Sequence, residues 1–177
     1  MVTAIVLQAL GLHWLGGEPD DGGDQCAHGK VQFSVGEQVL VTPDDGELTL
    51  SAAGLYLLRT LDADLAADDE LTDGNQLFPC CGHSVYAIEG RCVVLGCSNG
   101  IDISVHADGE TITLQRDDVS TTTTRSLWQA AVLTFAGQVH SFYDASARRA
   151  AVDDELEAAG WRLFWEEWNE RAIAAAS

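Results

Sequence analysis

The chain has 177 residues, 46% of them hydrophobic, and a formal net charge of -19. That length and apolar content suit one folded domain with a sizeable core and argue against disorder. The charge excludes a phosphate-binding surface as the main business: Lys30 is the only lysine, and the arginines are scattered rather than gathered on a face that nucleic acid would need.

The acidity has two physical readings. A high-salt, halophilic cytosol selects surfaces rich in Asp and Glu and poor in Lys, and this chain has that look. A strongly negative surface can also cap a basic partner protein, as inhibitors and immunity-type proteins do. Solubility alone is the plainest account. The N-terminal stretch is apolar but carries no basic n-region, and its run is too short to span a bilayer. Five cysteines cannot all pair within one chain. The expected compartment is therefore a reducing cytoplasm, with thiols free or metal-bound, and neither nucleic acid nor membrane as partner.

In chain order, residues 2–10 read as a strand, although a short apolar run is equally compatible with the start of a buried helix. Gly16 to Asp24 is a Gly/Asp/Pro loop. From Lys30 to Val35 the residues Val31, Phe33 and Val35 alternate with polar ones, the period of a half-buried strand. Gly36-Glu37-Gln38 turns the chain, and Pro43-Asp44-Asp45-Gly46 is a second turn. Ser51 is placed to cap a helix over 52–67 with Leu55, Leu58, Leu61 and Leu65 as its apolar stripe.

Two hairpins follow. Ser84–Ile88 and Arg91–Leu95 flank Glu89-Gly90, so with a two-residue loop the facing positions sum to 179, and Ala87 opposes Cys92. Ile101, Ile103 and Val105 then alternate toward Asp108-Gly109, a preferred hairpin pair, and Ile112 and Leu114 return. This predicts Val105 opposite Ile112, with His106 on the polar face. Val119 to Arg125 reads as a Ser/Thr-rich connector. A helix over 125–147 carries Trp128, Val132, Phe135, Val139 and Phe142 on one stripe, with Arg148 and Arg149 at its end. A last helix over 153–173 carries Trp161, Phe164, Trp165 and Trp168. The expectation is a single α+β domain over 1–177: an antiparallel sheet of hairpins with about three helices packed on one face.

The chemistry-bearing residues cluster at the first hairpin. Cys97 falls at its open end, beside Cys80, Cys81 and His83. Cys92 lies near the turn, roughly 16 Å away at the rise of a strand, and reads as a small core residue. In an ideal pleat Cys80 and Cys97 point one way and Cys81 and His83 the other. A metal site must break that parity, using Gly82 as a knuckle with positive φ. Cys26 and His28 form a second Cys-x-His pair upstream. Cys26, His28, Cys80 or Cys81, His83 and Cys97 are thus the candidate ligands of a structural zinc. Free structural cysteines, a disulfide or a reactive thiol are the competing readings.

No P-loop, Gly-x-Gly-x-x-Gly, His-Glu-x-x-His, Gly-x-Ser-x-Gly or Cys-x-x-Cys motif is present, and no catalytic residue is assigned. The expected function is a non-enzymatic acidic interaction or regulatory protein with a structural zinc site. The alternative is a small cysteine/histidine- or zinc-dependent enzyme with its site at Cys80–His83. Trp161, Trp165 and Trp168 are either core or a hot-spot stripe for a partner or a homodimer.

Overall fold

The computed structural model describes residues 4–16, 20, 22–66, 76–82, 84–97 and 99–177. Its elements make an α+β fold of three antiparallel sheets and three helices.

The first sheet is built on β1 (Ile5–His13), β2 (His28–Val35) and β3 (Gln38–Val41), with the short β4 (Leu48–Thr49) also pairing with β2. The ambiguous N-terminal run is a strand, because it pairs with β2 from Ile5↔Val35 to Leu10↔Lys30. The register then shifts before His13↔His28, and Gly11, at φ 62°, supplies the left-handed residue at this irregularity. In β2 the alternation read from the sequence holds, with Val31, Phe33 and Val35 buried and Lys30, Gln32 and Ser34 partly exposed.

α1 (Leu50–Arg59) follows β4 directly and is buried from Leu50 to Leu58. It is shorter than the expected helix over 52–67, and Thr49, not Ser51, is its N-cap. This helix is buried from Leu50 to Leu58, so no single apolar face marks its length. It stops at Thr60, whose Oγ1 donates to Leu57 O and accepts from Trp128 Nε1. Beyond it, Leu65 exchanges two backbone hydrogen bonds with Val105. Gly54 lets α1 sit under the last helix: a Cβ there would lie 2.2 Å from the Trp168 ring.

The second sheet is the hairpin β5 (Ser84–Ile88) and β6 (Arg91–Leu95). Its register runs from Ser84↔Leu95 to Ile88↔Arg91, the expected pairing, and Glu89 and Gly90 both take positive φ in the turn. The third sheet is a meander of β7 (Ser104–Asp108), β8 (Thr111–Arg116) and β9 (Val119–Thr124). Here two expectations are corrected. The loop is Gly109-Glu110, so Val105 faces Leu114 rather than Ile112. Moving the loop by one residue shifts the pairing by two, which keeps the apolar face intact. Residues 119–124 are a strand rather than a connector, since β-branched Thr suits an extended backbone without an apolar alternation.

α2 (Arg125–Ala145) begins at Thr124, whose side chain accepts from Leu127 N, and buries Trp128, Val132, Phe135 and Val139. It ends before the arginine pair. Arg149 instead pairs with Asp20, donates to Asp24 O and stacks on the Trp14 ring. α3 (Glu155–Ala176) begins at Asp154, which accepts from Glu157 N. Gly160 brings it against the first hairpin, where a Cβ would lie 2.4 Å from Val85 O. The buried side chains of all three sheets and all three helices form one connected cluster. Among the described residues no helix is long and apolar enough to cross a membrane.

Candidate metal centre

Two chain segments carry the site. One is residues 76–82, on the N-terminal side of β5; the other comprises residues 96, 97 and 99–101, on the C-terminal side of β6. They are tied to each other by backbone hydrogen bonds in both directions between Phe78 and Ile101. The first arm is also held to β4: Thr49 N donates to Pro79 O, and Thr49 Oγ1 donates to Cys80 O at 3.0 Å. Gly82 is needed here for close approach, not for a positive φ. A Cβ on it would lie 2.6 Å from Ala52 Cβ of α1, and it is absent from the left-handed residues. Gly100 does the same for the second arm, where a Cβ would meet the Gln76 side chain at 2.2 Å.

This arrangement brings Cys80, Cys81 and Cys97 together, with their Sγ atoms all within 4.8 Å of one another. Cys80 Sγ lies 2.7 Å from Cys97 Sγ and 3.5 Å from Cys81 Sγ. The parity obstacle is removed because residues 80–82 are not in a strand. All three side chains are partly exposed.

The thiols do not behave alike. The hydrogen bond from Cys80, then the Asn99 backbone N–H, lowers the Cys97 thiol below its ordinary value. Burial and then the hydrogen bond to Cys97 push Cys80 up to about 12. The contact with Cys97, then burial, raises Cys81. Of the three, Cys97 is thus the thiol whose ionisation its neighbours ease, and Cys80 and Cys81 are those whose ionisation they oppose.

The donor set suits a thiophilic metal. Four sulfurs 2.3 Å from a tetrahedral zinc stand about 3.8 Å apart. The Cys80–Cys81 separation nearly meets that spacing, and the Cys80–Cys97 separation must open by roughly 1 Å. Three ligands are present among the described residues, and His83 lies outside them.

The other candidate ligands are elsewhere. Cys26 is 1% exposed, its Sγ directed at Gly82 O 3.7 Å away, and burial pushes its thiol far up. It touches the backbone of the site without joining the sulfur group. His28 is buried and its Nε2 lies 3.3 Å from Asp24 Oδ2. That pair belongs to the β1–β2–β4 junction, where Tyr143 Oη also donates to Gln25 O. Cys92 is a core residue, as its place near the turn indicated.

The tryptophan stripe is core. Trp161 and Trp168 are buried, at 6% and 2% exposure, and half-buried Trp165 packs on Tyr143, Phe164 and Trp168. Trp168 packs on Gly54 of α1, and Trp165 on His140 and Tyr143 of α2. A cleft of about 520 Å³ lies beside α3 and gathers Arg59, Arg91 and Arg171, but Arg59 and Arg171 both bind Glu167. Sequence reasoning did not reach this ion-pair network, because its members come from helices far apart in the chain.

Compared with known proteins, the chain matches no family model, no curated protein and no solved structure.

Proposed function

We propose that this is a non-enzymatic acidic interaction protein whose fold is fastened by a zinc–thiolate centre at Cys80, Cys81 and Cys97. The observation that carries the reading is the convergence of three Sγ atoms within 4.8 Å at the joint between two chain arms. A metal there ties residue 80 to residue 97 across the mouth of a hairpin, which is what structural zinc sites do in small folds. The chain's own residues supply the thiolates and hold the backbone around them, and solvent or a side chain outside the described residues completes the coordination. The overall charge of -19 supports a basic protein as partner and also lowers the cost of holding a cation.

Elemental analysis of the purified protein tests the centre: one zinc per chain is expected, and its absence after expression in zinc-replete medium overturns it. The partner reading is tested separately by capture at low and high salt. A basic protein that is released as salt rises supports it, and an acidic partner or salt-indifferent binding rejects it.

A further inference from the structure

We propose that Cys80 and Cys97 are a disulfide-forming pair, oxidised by low-molecular-weight disulfides, and that this disulfide and a bound metal exclude each other. The second clause rests on the zinc reading above.

Geometry selects the pair. Their Sγ atoms stand 2.7 Å apart, so a bond of about 2.05 Å needs an approach of roughly 0.7 Å. The two arms are already joined beside the pair by the Phe78–Ile101 hydrogen bonds. Cys80 and Cys81 are poorly placed to bond each other: neighbouring Cα atoms across a trans peptide stand about 3.8 Å apart, below the usual disulfide range that starts near 4.4 Å. Cys26 and Cys92, at 1% and 3% exposure, are closed to an oxidant, whereas Cys80 and Cys97 are open to it.

The step balances without a metal. The thiolate of one member attacks a sulfur of the small disulfide; that S–S bond breaks and one thiolate leaves, giving a mixed disulfide. The second member loses its proton to solvent and attacks the protein sulfur of the mixed disulfide, expelling the second small thiol. Two electrons and two protons leave the protein, and the small disulfide is reduced to two thiols. The product has lost two of its three thiolate ligands, and a disulfide sulfur does not replace them, because the thiolate is the metal-binding form.

The experiment treats the full chain with oxidised glutathione, metal-free and after zinc loading, and follows intact mass and cross-linked peptides. The metal-free protein is expected to lose two hydrogens and yield a cross-link between the peptides of Cys80 and Cys97. Cys81→Ser should retain that cross-link, and the double variant Cys80→Ser/Cys81→Ser should stop at a single glutathione adduct on Cys97. Zinc should slow the cross-link by roughly tenfold or more. A cross-link through Cys81, a cross-link between two chains, or a persisting adduct on the unsubstituted protein overturns the pair. Should the cross-link form in a chain that binds no zinc, the pair stands and the zinc reading falls. Zinc binding without the cross-link has the opposite meaning.

Discussion

The two sheets of the second half of the chain solve the same problem differently. The β7–β8–β9 meander has three strands and is further tied at one edge by Leu65, which bonds Val105 in both directions. The β5–β6 hairpin has two strands and no neighbouring strand among the described residues. A two-stranded hairpin is marginal in water unless something covers or fastens it. Here α3 covers it, Arg59 reaches Cys92 O from α1, and the three sulfurs close its open end. The chemistry-bearing residues therefore stand where backbone pairing is thinnest, which favours a structural role for them.

That contrast can be broken most forcefully at Gly160. Gly160→Ala drives a methyl into the β5 backbone and should cost about 3 kcal/mol by overpacking, read as a lower urea midpoint. The meander's own glycine, Gly109, has open space around it, but its φ of 57° makes an alanine there a test of backbone strain alone, with a smaller loss. Zinc comes next. At a hundredfold excess over its dissociation constant it should add about 2.7 kcal/mol, visible as a higher melting temperature that Cys97→Ser abolishes.

The third test uses acid. Burial works to raise the Glu167 carboxyl, and the hydrogen bonds and charges of Arg59 and Arg171 outweigh it, so the group sits below its ordinary 4.5. A depressed carboxyl contributes stability that is present above 4.5 and lost as pH falls through its folded value. Glu167→Gln should therefore cost about 2 kcal/mol near neutrality and flatten the acid limb of a stability–pH curve. A variant whose acid limb matches the unsubstituted chain would show that Glu167 does not hold α1 to α3. The smallest effect is at the turn. Glu89, at φ 50°, occupies the left-handed region, and Glu89→Asn should gain about 0.5 kcal/mol in chemical denaturation.

Legibility in the sequence followed the strength of local signals. The β5–β6 register was readable because Glu89-Gly90 leaves one two-residue loop that keeps both strands in phase. The next hairpin was harder: Asp108-Gly109 and Gly109-Glu110 both keep the apolar face inward, and side-chain parity cannot separate them. β9, Val119–Thr124, carried no apolar alternation. The site was half legible. Counting from the turn placed Cys97 at the mouth with Cys80 and Cys81 and set Cys92 aside. It could not reveal that Cys26 and His28 are held apart from the sulfur group, at the entry to β2, by Asp24 and Tyr143, because those contacts come from the fold around them. Nor could a helical stripe tell that Trp161 and Trp168 are buried in the core.

The Phe78–Ile101 bridge also has a dynamic consequence. It closes the loop that contains the whole hairpin, only a few residues outside the sulfurs. Opening the hairpin from its mouth breaks those two backbone hydrogen bonds, so the amide protons of Phe78 and Ile101 are natural clocks for that opening. Hydrogen exchange at these two positions thus reports how firmly the cysteine joint is shut, without any label on the cysteines themselves.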